Sequence, residues 1–523
     1  MATATKLAAP TPLAGPNQPV DWMFAYKFND GSFPGWDNGE VPPYGTPGIF
    51  GGYTDDYPEG LSQQYVFATS ASPTLVKGKG PIGATFTDPL GATFAQVYNT
   101  PGYFYILWND QFYGNPIETM SSPFGHSKGM AAWNDDGEGF VLQVSTPSWP
   151  ASGCHTFSRN SQKTINAVKN KVKVGGKLVE LDYNTLGCID DDDVEVAQHF
   201  FCLKLTKDDL VNVLKGLINA SVVTDPTQPP LCNNGGPADV QALVKQMGKV
   251  SSAKTVFTAT LSSGVQLISK PSSLPVPPWQ MISAQLSGLS LRVVSWWADP
   301  KIYSSTEGEV PGCWGTGLGT PGDVDIALTG SWAGVTVDVI GDNGRNSNHA
   351  KIGISKDVSK TICIFGDENQ QGAYTKGADS STQTCSSSQN GRGGTFYVVN
   401  NASLFQSLTQ LFAGRTAGTS AATTDLSGIE EKQPVIGKPV GTKAPKITTK
   451  TSQKTKPKAT KTTPAKAKTK TPAAKKAKAP VKSKVKKTVV AKPKKVAKKA
   501  VKKVTKKPVV KKKIAKKATK KKS

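Results

Sequence analysis

Residues 441 to 523 carry 34 lysines and no acidic side chain, and that stretch limits what the chain can fold into. Its runs, such as AKPKKVAKKAVKKVTKKPVVKKK, alternate lysine with Ala, Pro, Thr and Val. They hold too little apolar surface to offset the entropy of ordering, so the segment is expected to be disordered. Setting it aside inverts the charge of the remainder. Of 63 basic and 38 acidic residues, the first 440 positions keep 29 and 38, a net of −9 against +25 for the whole chain. A flexible polycation binds phosphate backbones by releasing their counterions, with strong dependence on salt and little on sequence. Nucleic acid is the partner this composition favours; an anionic membrane surface or simple solubility is the blander reading.

The body reads differently. With 37% hydrophobic residues and ten tryptophans, the chain has material for a sizeable core. Short apolar runs such as YFYILWND, GFVLQVS, LRVVSWW, GVTVDVIG, TICIFG and TFYVVN, separated by Gly, Pro, Asn and Asp, predict strands with turn punctuation. Helical periodicity predicts helices over 206–220, with Thr206 as cap, over 237–250 and over 402–414. The fold class expected is α+β. The expected divisions are a flexible N-terminus over 1–16, a globular body over 17–415, a linker over 416–440 and the basic tail over 441–523. No apolar run is long enough for a membrane span. The first residues lack the apolar stretch of a secretory signal, so a DNA-associated intracellular setting (nucleus, nucleoid or virion) is expected ahead of a lysosomal or secreted one. Seven cysteines without a CxxC suit some disulfides and a spare thiol, and argue against structural zinc. The sequons at Asn219 and Asn401 mean little without secretion. Oligomeric state is left open, a homodimer included.

The chain has four histidines, and two of them precede a lysine by two positions: His126 with Lys128 in GHSKGM, and His349 with Lys351 in NHAKIGIS. Along a strand, side chains at i and i+2 share a face, so imidazole and ammonium project together. That pair suits a phosphate. The lysine neutralises nonbridging oxygens, while the imidazole attacks phosphorus or moves a proton near neutral pH. Two such units facing each other would supply a nucleophile on one side of a phosphodiester and a general acid on the other, without a metal or other cofactor. A single His-x-Lys is worthless as evidence, since chance supplies two among four histidines in a few per cent of chains of this composition. The matched surroundings carry the argument: each site is followed by strand, turn, strand and a polar loop. His155 and His199 lack such surroundings and are read as structural.

The stretches QPVDWMFAYK, YILWNDQ (105–111), GHSKG (125–129), NHAK (348–351), CIFGDENQ (363–370) and NGRGGTFY (390–397) together resemble, in this order, the deoxyribonuclease II family. The resemblance spans most of 17–415 and none of the tail, whose composition is similar to that of linker-histone tails. It implies a phospholipase D-like fold with two pseudo-symmetric halves, 17–230 and 231–415, each holding one His-x-Lys pair, a β-sheet and flanking helices. It also implies a metal-independent acid endonuclease acting on DNA, which leaves 3′-phosphate and 5′-hydroxyl ends through a phosphohistidine. Carried over by residue, His126, Lys128, His349 and Lys351 are catalytic, with His126 as nucleophile and His349 as leaving-group acid, and Asn369 holds the phosphate. Ser148 stands where the family usually has a phosphate-holding asparagine, Val144 where a histidine is frequent, and Asn134, with Asp136 nearby, where an acid is common. Those departures point to lowered activity or a shifted pH preference.

Rival signals are weaker. GHSKG also fits Gly-x-Ser-x-Gly, which would make Ser127 an esterase nucleophile, but a hairpin follows instead of the required helix. GKGPIG at 78–83 has a proline and a strand-like continuation where a dinucleotide needs a helix terminus. The run Asp190 to Asp193 lacks calcium-loop spacing and reads as a solvated surface. Two function classes besides the nuclease remain: a DNA-packaging protein with a weakened body, and a phospholipase D-like phosphodiesterase acting on another substrate such as lipid.

Overall fold

The computed structural model describes residues 7–33, 64–80, 82, 87–99, 102–111, 120–147, 171–174, 177–180, 196–228, 231–341, 346–375 and 384–419. In chain order the strands are β1 (Trp22–Lys27), β2 (Tyr65–Thr69), β3 (Val76–Lys77), β4 (Phe104–Trp108), β5 (Gly129–Trp133), β6 (Gly139–Val144), β7 (Lys171–Val174), β8 (Lys177–Glu180), β9 (Gln198–Leu205), β10 (Cys232–Asn233), β11 (Phe257–Thr260), β12 (Gln266–Lys270), β13 (Leu291–Val294), β14 (Val324–Ile326), β15 (Thr329–Trp332), β16 (Val335–Asp338), β17 (Ile352–Ser355), β18 (Ile362–Gly366) and β19 (Gly394–Asn400). The helices are α1 (Pro89–Asn99), α2 (Lys207–Asn219), α3 (Ala238–Val244), α4 (Pro278–Gln285) and α5 (Ala402–Leu411). The chain is therefore α+β, as expected.

Eight strands form one sheet in the order β10-β4-β5-β6-β9-β1-β2-β3, and seven form a second in the order β11-β12-β19-β18-β17-β13-β14. The pairs β7–β8 and β15–β16 are separate hairpins. Within the second sheet β13 and β14 run parallel, while its central strands pair antiparallel, as do those of the first. The first sheet takes its last strand from residues 232–233, just past the boundary expected at 230.

Both faces of both sheets are covered, which explains why the strands read as near-continuous apolar runs. Along β1, Trp22, Phe24 and Tyr26 join a core shared by the two sheets, while Met23 and Ala25 join the core under α1. The shared core is closed by aromatic contacts across the seam. Phe24 stacks on Phe365 at 4.6 Å between ring centroids, and Phe201 stacks on the same ring at 4.7 Å. Outside the first sheet, α1 buries Leu90, Phe94 and Val97. Outside the second, α4 buries Trp279, Met281 and Ile282. Thus α1 and α4 cover the outer faces, while α2 and α5 add Leu210, Leu214, Leu404 and Leu408 to the core shared by the sheets.

Thr206 caps α2 through a capping box with Asp209, as its position predicted. The helix expected over 237–250 stops at Val244; four residues on, Gly248 adopts φ +75°, which a helix does not tolerate. The segment before β1 is not flexible throughout. Thr11 N donates to Gln96 Oε1 (3.2 Å) and Leu13 N to Thr93 Oγ1 (2.9 Å), fastening it to α1. At the other end Ala417 N donates to Ile326 O (2.9 Å), so the body runs slightly past 415. Both sequon asparagines serve the fold: Asn219 Nδ2 donates to Ser269 O (3.0 Å), and Asn401 Oδ1 caps α5 by accepting from Leu404 N (3.0 Å). Cys313 and Cys385 form a disulfide, Cys202, Cys232 and Cys363 are buried thiols, and Cys154 and Cys188 lie outside the described residues. No described helix is long and apolar enough to cross a membrane. The basic tail lies outside the described residues.

Candidate active site

Each His-x-Lys segment leads straight into a central strand: Lys128 precedes β5 in the first sheet and Lys351 precedes β17 in the second. The matched surroundings read from the sequence are present, with β5 and β6 after the first site and β17 and β18 after the second. All four side chains line one cavity of about 390 Å³, together with Asp110, Trp296, Asn369 and Arg392. The sequence pairs are thus brought together from two different sheets.

The histidines are hung crosswise. His126 N donates to Gly393 O (2.8 Å), just before β19 of the second sheet, and His349 N donates to Ala197 O (2.8 Å), just before β9 of the first. The ring of His126 has a defined tautomer. Its Nδ1 lies 2.8 Å from Asp367 O, and a carbonyl only accepts, so Nδ1 carries the proton and Nε2 keeps its lone pair. Lys128 Nζ lies 3.5 Å from that Nε2. Around His349 the support differs: Trp296 meets it with centroids 4.5 Å apart and planes at 74°, and Lys351 Nζ donates to the carbonyl of His349. His199 is buried behind this pair, its Nδ1 accepting from Lys351 N (3.2 Å), in keeping with a structural role.

Asp110, two residues past β4, is the carboxylate of the site. It accepts from Lys128 Nζ, pairs with Arg392 Nη2 at 2.8 Å and lies 3.9 Å from His126 Nε2. Arg392, just before β19, also donates to the carbonyls of Phe124 (3.0 Å), Met120 (3.1 Å) and Gly125 (2.9 Å), and so ties down the segment that delivers His126. The carboxylate of Asp367 accepts from Thr395 N (2.8 Å), Thr395 Oγ1 (2.6 Å) and Gln143 Nε2 (3.0 Å), which fixes the carbonyl that holds His126. Next to it, Glu368 and Lys270 form a fully buried pair at 3.6 Å.

The cavity favours an anion. Among the described residues its lining carries positive charge on Lys128, Lys351 and Arg392 and negative charge on Asp110 alone, a net of +2 with neutral imidazoles. Burial first, and the lysine two residues on second, hold both His126 and His349 well below 6.5. Each imidazole also feels the other pair's lysine. Burial alone would raise Asp110, but Lys128, Arg392 and His126 outweigh it and hold the carboxyl well below the ordinary range. Burial pushes Asp367 up to about 6 and Glu368 up to about 8, against the pull of Lys270.

Asn369, three residues past β18, lines the cavity, and its buried Oδ1 has no hydrogen-bond partner among the described residues. Ser148 lies outside the described residues; from the same segment Ser145 and Pro147 reach the cavity. Asn134 corrects an expectation. It sits in the β5–β6 turn, where its Oδ1 accepts from Asp136 N (3.0 Å) and Glu138 N (3.1 Å), and neither it nor Asp136 lines the cavity. The acid facing Lys128 comes from Asp110 instead. Val144 is packed in the core under α1. Ser127 is fully buried beneath Trp108 Nε1 (3.0 Å), which removes the esterase reading. His155 and Asp190 to Asp193 lie outside the described residues. No group of three or more His, Cys, Asp or Glu side chains is arranged to hold a metal among the described residues. Asp110, Arg392 and Asp367 went unread as site residues, although each stands inside a stretch that carried the family resemblance.

Comparison with known families matches residues 52–415 to one of them, Deoxyribonuclease II. That match covers well over half of the chain and both His-x-Lys pairs. Among curated proteins nothing matches.

Proposed function

The chain belongs to the deoxyribonuclease II family, whose members hydrolyse DNA, and from that premise we propose that its cavity cleaves a phosphodiester through a covalent histidine intermediate. His126 is the nucleophile. Its Nε2 lone pair attacks phosphorus, the bond to O5′ breaks, and His349 gives its proton to that oxygen. His349, now neutral, takes a proton from water as the water attacks the phosphohistidine, releasing a 3′-phosphate and restoring His126. Lys128 and Lys351 neutralise the nonbridging oxygens as charge builds on them, and the amide of Asn369 and the hydroxyl of Ser148 hold the same oxygens. Burial keeps His349 neutral in the free protein, and an arriving phosphodiester anion restores its affinity for a proton. The positive charge that the reaction needs comes from ammonium groups, so activity should survive a chelator.

The observation that carries this reading is the convergence of two imidazole and ammonium pairs, one from each sheet, on one cationic cavity. The same reading takes the two sheets as the pseudo-symmetric halves of a phospholipase D-like fold. The reciprocal bonds from His126 to Gly393 and from His349 to Ala197 support it. The lysine tail tethers the enzyme to DNA and raises the local substrate concentration. A DNA-packaging role with a weakened body drew on Asn134 and Ser148, and the first of these lies away from the cavity.

Plasmid nicking in EDTA at acid and neutral pH tests the proposal. His126→Ala and His349→Ala should each abolish cleavage, and full activity in either variant refutes the pairing. Residues 1–440 should nick with less affinity and a shallower salt dependence than the full chain.

A further inference from the structure

Bare phosphate recognition needs only the charged members of the cavity, yet a tryptophan stands among them. Trp296, two residues past β13, is the one Phe, Tyr or Trp side chain in the lining among the described residues. Most described tryptophans are fully packed; this one is half-buried, with its ring at the cavity wall. An aromatic face left part-wetted in a cationic pocket is surface that a flat apolar group would cover favourably.

The backbone that carries Trp296 is held in place from three sides. Ser295 Oγ accepts from Gln370 N (2.9 Å), Trp297 Nε1 donates to Ile302 O (2.8 Å), and Gly341 packs its backbone against the 296–297 peptide. A Cβ on Gly341 would come within 2.1 Å of Trp296 Cα. From that backbone the indole stands against His349, with ring centroids 4.5 Å apart. Because the two ring planes stand 74° apart, a base stacked on the indole lies nearly edge-on to the imidazole and leaves it open to the phosphate.

We propose that Trp296 is the stacking platform for one nucleobase, that of the leaving nucleoside on the O5′ side of the scissile phosphate. The assignment rests on the nuclease reading above and on His349 as the acid that serves O5′. A base inside a duplex is already stacked on its neighbours. Engaging Trp296 thus requires the base next to the scissile bond to leave that stack.

The test uses the full chain and a tetranucleotide whose one natural phosphodiester joins its second and third nucleosides, the flanking linkages being methylphosphonates. The third position carries either a base or an abasic deoxyribose. Trp296→Ala should lower kcat/KM on the intact strand by about 5- to 150-fold, the range expected for one stacked base. Removing the third base should lower the wild-type rate by a similar factor, and Trp296→Ala should then add no further loss. Trp296→Phe should retain most of the activity. An equal loss on intact and abasic strands would overturn the proposal, because Trp296 would then only prop His349. So would a loss that follows removal of the second base. Either outcome leaves the nuclease reading standing; a wild-type chain that cleaves neither strand brings down both.

Discussion

Replacing Asp110 with asparagine should cost the protein about 3–5 kcal/mol, the usual penalty for stranding one charge of a buried pair. The group stranded is Lys128. Its side chain is 2% exposed, and its polar partners are the Asp110 carboxylate and, at 3.5 Å, His126 Nε2. Arg392 survives the change better because three carbonyls still accept from it. Unfolding entropy of about 2.1 cal/mol/K per residue, over the 442 residues of the first compact unit, gives roughly 0.9 kcal/mol per kelvin. The melting temperature should therefore fall by about 3–5 °C in scanning calorimetry at pH 7. Asp110→Asn combined with Lys128→Met removes both charges and should regain most of the loss. The sign with pH is fixed by the depressed carboxyl: its contribution is present above the unfolded value of 3.8 and disappears as pH falls through the lower folded value. The gap between wild type and Asp110→Asn should persist at pH 5 and close only in stronger acid. An unchanged melting temperature in the single variant, or a double variant less stable than the single, would refute the reasoning.

Burial and the lysines hold His126 well below 6.5, so its lone pair survives mild acid; the acid limb of kcat/KM in plasmid nicking should lie well under pH 6.5, and a limb centred at or above that value contradicts the assignment. Glu368 titrates near 8 when folded and near 4.5 when unfolded, so the native state holds the extra proton and stability should decline by about 2 kcal/mol between pH 6.5 and 8. Below that window the buried histidines oppose the trend, which is why urea unfolding should be compared above it; Glu368→Gln should flatten the slope. Cys313→Ser with Cys385→Ser opens a link across 72 residues and should lower the unfolding free energy by up to about 4 kcal/mol, measured by the urea midpoint.

What the sequence disclosed followed short-range rules. The strand runs were readable because both faces of each sheet are buried, and His126 with Lys128 and His349 with Lys351 because a two-residue spacing projects side chains together. Thr206 announced its helix through a cap. The partners of those pairs were not readable from spacing. Asp110 reaches Lys128 from the preceding strand, and Arg392 reaches the His126 segment from the other sheet, so only folding joins them. Counting six positions on from Lys128 landed on Asn134, but a hairpin turns there and carries the position out of the site. Residues 11 to 16 lack any periodic pattern, and what anchors them is backbone hydrogen bonding to α1, which composition does not report.

The crosswise suspension of His126 from Gly393 and of His349 from Ala197 makes each sheet the custodian of the other's chemistry. Slight parting of the sheets would pull the backbone amides of both histidines off their acceptors, and the ring of His126 off Asp367 O, before either hydrophobic layer opened to water. Loss of cleavage should thus be the earliest sign of denaturant damage, ahead of any spectroscopic change. A polypeptide severed between the two sheets should be inert as separate pieces and regain turnover when they are mixed.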